Sequence, residues 1–134
     1  MAIYGIGAFI SSGDVSNQFI ASNLVGVGWD HQDAPELHQY VHSLKVGDIV
    51  YIKAFPPNLN QIIIKAIGII TDDIVLDEAS TNNLVACGRR VRWISTEQFS
   101  IAKPAERNNV RQNTMYEEFH PIVQREVINR IVAA

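Results

Sequence analysis

The chain has 134 residues, enough for one ordinary domain and too few for two. Ile, Val, Leu and Phe number 18, 13, 6 and 5, well outside disordered compositions, and no apolar run approaches the roughly 18 residues of a membrane span. Residues 1–84 carry three basic and nine acidic side chains (−6) and residues 85–134 eight and five (+3), so the net −3 argues against coating nucleic acid by bulk charge but leaves room for a basic patch in the second half.

Ile and Val together outnumber Leu by 31 to 6, and branching at Cβ suits strands better than helices. Residues 3–10 read as an opening strand. A turn at 11–14 leads to a short helix over 15–21, capped by Ser12 or Asp14. Residues 24–29 (LVGVGW) are a short strand or extended segment. Pro35 fits the first turn of a helix through Leu44, on which Leu37, Val41 and Leu44 share one face.

The strongest strand signal follows the turn at 45–48. Residues 49–55 (IVYIKAF) and 62–70 (IIIKAIGII) flank a Pro/Asn loop, and their nearly continuous aliphatic character places both in a curved sheet covered on both faces. Residues 72–83 read as a polar excursion. Residues 85–94 (VACGRRVRWI) form another strand, with Arg90 and Arg92 on one face and Val91 and Trp93 on the other. From Thr114 the period becomes helical, Thr114 and Glu117 resemble a capping box, and Pro121 marks a restart. The expectation is a single α+β domain over 1–134: a small curved β-barrel over about 1–100, peripheral helices, and an amphipathic helical tail over about 111–134. Closure would also remove sticky strand edges.

Three segments in this order carry a family likeness: Val25-Gly26-Val27-Gly28-Trp29-Asp30, Val46-Gly47-Asp48-Ile49-Val50-Tyr51-Ile52-Lys53 with Ile64-Lys65-Ala66-Ile67-Gly68 behind it, and Gly88-Arg89-Arg90-Val91-Arg92-Trp93-Ile94. The arrangement resembles the EVE domains of the PUA-like superfamily, found in prokaryotic proteins that sense modified DNA. The resemblance implies a barrel with a pocket in which aromatic side chains hold a flipped, often modified, base. With no nuclease or ATPase segment expected beside it, cleavage of the kind such multidomain enzymes perform is not expected here.

The residues supply reasons of their own. Gly47 can take positive φ, Asp48 can bond the turn amides, and Gly68 permits a close approach. Trp29 and Tyr51 are the candidate stacking rings for a nucleic-acid base, and Asp30 sits where base edges would be read. Lys53, on the parity of Tyr51, is a candidate phosphate contact, as are Arg90 and Arg92 together with Arg89, because a guanidinium fork matches a phosphate. The alternatives stay open: Trp29 as a barrel plug, Trp93 as core, the Tyr51 face as an ordinary covered face, and the arginines as guards against edge pairing.

Two rival readings remain. The tail stripe of Phe119, Ile122, Val123, Val127 and Ile131 either packs on its own domain or docks a second copy or another protein, giving a regulatory or defence-related interaction domain. His38 and His42, one turn apart, with His31 and Asp33 upstream, have a spacing suited to a metal and so to a small-molecule binder or metal-dependent hydrolase, yet lack the glutamate of the metalloprotease pattern. No Gly-x-Ser-x-Gly elbow or dinucleotide fingerprint exists, and Cys87 lies in a strand without a partner base. No enzyme activity, cofactor or metal is therefore expected. The start of the chain lacks a secretory pattern, and one cysteine fits a reducing, cytoplasmic compartment.

Overall fold

The computed structural model describes residues 1–11, 13–56, 60–106 and 109–134. Ser12, the loop residues Pro57, Asn58 and Leu59, and Arg107 fall outside them. The aliphatic segments form one mixed sheet. Its path runs β4 (Leu24–Val27), β7 (Cys87–Ser95), β6 (Gln61–Leu76), β5 (Ile49–Ala54), β1 (Ile3–Gly7), β9 (Met115–Glu117), and β8 (Phe99–Ala102) pairs with the start of β6. The β1–β5 pair is parallel, with Ile3 opposite Ile49 and Gly7 opposite Lys53; the other pairs are antiparallel.

Both faces of the sheet are covered, as continuous aliphatic strands require. On one side Ile6, Val50, Ile52 and Ile70 pack with Phe19 of helix α1 (Ser16–Ser22) and Val41 of helix α2 (Pro35–Ser43). On the other Ile49, Tyr51, Ile64 and Ile67 pack with Val123 and Val127 of helix α3 (Pro121–Ala133). The tail stripe is thus divided. Its Val123 and Val127 belong to the core, Ile131 is partly buried against it, and Phe119 and Ile122 stay exposed.

The expected barrel closure is not seen among the described residues. The end strands β4 and β9 have four and three residues and share no ladder, so the sheet is an open path between two short edges. Several expected elements also shift. The opening strand stops at Gly7, whose N–H donates to the Thr114 carbonyl at 2.8 Å, and the chain then turns into a small hairpin of β2 (Phe9–Ile10) and β3 (Gly13–Asp14). Asp14 accepts from the Ser16 N–H and hydroxyl just ahead of α1, where Val15 occupies the cap position.

Strand β6 continues through the expected polar excursion to Leu76, because Val75 and Leu76 find partners in Arg89 and Gly88 of β7. The tail does not become helical at Thr114 either. Met115–Glu117 pairs with the free edge of β1, where three sheet partners outweigh a capping box. The helix starts at Pro121, capped by His120, whose Nδ1 accepts from the Ile122 N–H at 3.2 Å. Among the described residues no helix is long and apolar enough to cross a membrane.

The turn before β5 forms as its residues suggest. Gly47 has φ +94°, and the Asp48 carboxylate, buried, accepts from the Ala2 N–H at 3.0 Å and the Lys45 N–H at 2.8 Å. This ties the N-terminus to the start of β5 and fixes the β1–β5 register that positions Lys53.

Candidate functional site

Between the two ends of the sheet path, β4 and β9, lies a cleft of about 510 Å³. Gly26, Val27 and Gly28 from the end of β4 form one wall, Gln112 and Thr114 ahead of β9 form the opposite one, and Gly7 of β1 lies between. The glycines matter because they leave backbone where side chains would stand. At Gly28 a Cβ would meet Ile10 Cγ2 at 2.5 Å, so the β2–β3 hairpin rests directly on the β4 wall.

Trp29 borders this cleft and is 56% exposed. Its position is set by its main chain. The Trp29 carbonyl lies 2.6 Å from His38 Nε2 on α2, and since a carbonyl only accepts, Nε2 carries the proton. The His31 ring packs edge-on against His38 at 5.3 Å. The Asp30 carbonyl accepts from the Asp33 and Ala34 N–H groups, each at 3.0 Å, closing the turn that returns the chain to α2. Asp30 itself is exposed and lies beside the cleft rather than along its lining. Phe9, 69% exposed, is a second aromatic ring on the cleft that sequence reasoning missed.

Lys53 is the one charged side chain lining the cleft among the described residues. It sits at a β-bulge between Ile52 and Lys53, a feature that re-aims side chains. Its Nζ donates to the Arg111 carbonyl at 2.8 Å and lies 5.8 Å from the Tyr116 ring centroid. Burial lowers its pKa from 10.5 to about 8.

Tyr51 is not available to a guest. It is fully buried beneath Tyr116, to whose hydroxyl it is bonded at 2.8 Å, and it donates to Glu118 Oε1 at 2.7 Å. Burial, then the neighbouring Tyr116 and Glu118, push its pKa well above the usual phenol value. The carboxylate of Glu118 is also buried and accepts from Arg111 Nε at 3.0 Å, from Arg111 Nη2, and from the His120 N–H at 3.0 Å. Parity correctly grouped Tyr51 with Lys53. What parity lacks is depth: β9 and α3 cover the middle of that face and leave its Lys53 end open.

The arginines separate as well. Arg89 is buried and donates to the carbonyls of Val41 at 3.0 Å, Leu44 at 2.6 Å and Asp72 at 2.7 Å, so it ties α2 and β6 together and cannot reach a phosphate. Arg90 is exposed, 3.4 Å from the Asp72 carboxylate, and borders a different hollow with Leu24, Leu76 and Thr81. Arg92 is exposed on the same face of β7 and is not part of the cleft. Trp93 is partly buried against Gly68, where a Cβ would lie 2.9 Å from its ring.

Among the described residues no three His, Cys, Asp or Glu side chains gather into a metal site. His38 is committed to Trp29, while His31, Asp33 and His42 are exposed. Cys87 is buried, and burial raises its thiol pKa more than the Arg89 charge lowers it.

A family model for a domain of unknown function (DUF8426) matches residues 30–118, from the turn after Trp29 through β9. The chain belongs to this family. Of the cleft, the family span contains Lys53, Gln112 and Thr114, while Trp29 and the Gly7 and Gly26 walls precede it. No curated protein and no solved structure matches the chain.

Proposed function

We propose that the protein is a non-catalytic, cytoplasmic nucleic-acid-binding module that takes a flipped or modified base into the Trp29 cleft. The observation that carries the reading is an indole more than half exposed at the mouth of a 510 Å³ cleft whose charged lining, among the described residues, is a lysine. Stacking on such a ring contributes about 1–3 kcal/mol per base. Trp29 and Phe9 supply ring faces, Lys53 supplies a donor to base edge or phosphate, and Asp30 stands at the rim. Tyr51 is buried and takes no part in the binding. Arg90 and Arg92 lie on another surface, where they can meet only a flanking stretch of strand. The likeness to EVE domains fits this role, with the open sheet taken as an interrupted PUA-like barrel whose gap is the cleft.

The test is a fluorescence titration with plain and modified oligonucleotides. Binding is expected to weaken as salt rises and to drop by an order of magnitude or more, about 1.4 kcal/mol or above, in Trp29→Ala. Indifference to every oligonucleotide contradicts the proposal.

A second reading, an interaction domain using the C-terminal helix, is favoured by one observation. Phe119 and Ile122 are 72% and 51% exposed at the start of α3 and border a hollow of about 710 Å³ with Tyr40 and Val110. On this reading a second copy of the chain covers them. Sedimentation should then show dimers that Phe119→Ser with Ile122→Ser converts to monomers; a monomeric parent protein rejects it.

A further inference from the structure

Among the described residues the cleft is lined by one cation, the partly buried Lys53 ammonium, and by no carboxylate. The Lys53 stem runs past Gly7, where a Cβ would sit 3.6 Å from both Cε and Nζ. An ammonium has three N–H donors, and among the described residues Lys53 uses one, on the Arg111 carbonyl. None of the ion pairs among the described residues involves it. The Arg111 guanidinium is turned away and matched by Glu118.

A partly desolvated cation with spare donors attracts an anion more strongly than an exposed one does, and charge-assisted hydrogen bonds are about twice as strong as neutral ones. The rings of Phe9 and Trp29 border the same cleft. A guest that satisfies both features is flat and carries a negative group.

We propose that the cleft selects planar heteroaromatic rings bearing a carboxylate or similar anionic substituent, with Trp29 taking the ring and the Lys53 ammonium taking the charge. The ring half of this inference rests on the base-binding reading of the cleft; the charge half does not require nucleic acid. The same chemistry arrives as a free heteroaromatic acid or as a carboxylated base within a strand.

Among the described residues, the groups facing Lys53 leave its ammonium as the charge that changes at mildly alkaline pH. Gly7 of β1 and Ile64 of β6 are its strand partners. On β9, burial keeps the Tyr116 phenol neutral beyond the usual range, and the Arg111 and Glu118 charges offset each other. With burial holding the amine near 8, selectivity for the anion is present below that pH and fades as pH rises through it.

Isothermal titration calorimetry on the full chain tests this with cytidine, 5-methylcytidine and 5-carboxycytidine, each as the free nucleoside and within a short single strand. The carboxylated ring should bind at least about tenfold tighter than the methylated one at pH 7. The advantage should shrink between pH 7 and 9 and vanish in Lys53→Met and Lys53→Gln, where the carboxylated ring should bind no tighter than the methylated one. Should neither variant fold, the pH profile of the unaltered protein decides.

Equal affinity for all three rings overturns this inference and leaves base binding standing. Tight binding of the free carboxylated nucleoside, with no binding of the strand that carries the same base, overturns the nucleic-acid reading and keeps this one. If no ring binds in either form, both fall.

Discussion

Replacing Glu118 with Gln should unfold the protein at a markedly lower temperature. The substitution keeps the volume, removes the charge and turns one acceptor oxygen into a donor aimed at other donors. It leaves the Arg111 guanidinium buried without its counter-charge, and three partners (Tyr51, Arg111 and the His120 N–H) lose their acceptor or part of it. Breaking one side of a buried ion pair costs about 3–5 kcal/mol. An unfolding entropy near 2.1 cal/mol/K per residue gives about 0.28 kcal/mol/K for this chain, so Tm should fall by about 11–18 °C. Tyr51→Phe removes one hydroxyl from the same array and should cost about 1–2 kcal/mol, or about 4–7 °C. The double variant should lose less than the sum, because the Tyr51–Glu118 bond disappears in either single one. Differential scanning calorimetry at pH 7 measures all three. A Glu118→Gln protein melting within about 3 °C of the parent refutes the reasoning, since it would mean that water already compensates the charge.

Arg89→Met strips donors from the Val41, Leu44 and Asp72 carbonyls and should cost about 3 kcal/mol by urea unfolding; Arg89→Lys should recover only part, as an ammonium lacks the fork, and full recovery would count against a geometric role. Gly5→Ala places a Cβ 2.5 Å from Cζ and Oη of the buried Tyr116 ring and should destabilise by about 1–3 kcal/mol, whereas an unchanged urea midpoint would show that the ring moves freely. Burial raises the Asp14 pKa, but hydrogen bonds from Lys65 and Ser16 and the Lys65 charge outweigh it and hold the carboxyl at about 2, against 3.8 for a free one. Its contribution is therefore present above about pH 4 and lost as pH falls toward 2, so the parent's advantage over Asp14→Asn should narrow across that window; a constant difference from pH 6 to 2 contradicts the assignment.

The central strands and the Gly47–Asp48 turn were legible because their signals are local: unbroken aliphatic runs, and a glycine followed by a carboxylate with amides in reach. So was the alternation of β7, which put Arg90 and Arg92 outside and Val91 inside. Arg89 was misread because its partners, the Val41 and Leu44 carbonyls, lie more than forty residues away and leave no trace in the neighbouring sequence. Met115–Glu117 was hidden in a stretch with helical period, since only the vacant edge of β1 makes it a strand. Trp29, at a strand end, and Lys53, on the parity of Tyr51, both line the cleft. Phe9 was absorbed into a strand that the structure breaks at Gly7, so its exposure could not be read. The cleft itself arises from two edges that fail to meet, a property of the whole sheet rather than of any segment.

The most direct check on the central claim is a two-dimensional NMR titration that follows the two indole N–H signals while nucleosides are added. Trp29 lines the cleft and Trp93 lies against Gly68 on another part of the sheet. A saturable shift of the Trp29 signal with Trp93 unmoved is the predicted outcome. Both signals staying in place at millimolar nucleoside, or moving together, contradicts a ring seated on Trp29.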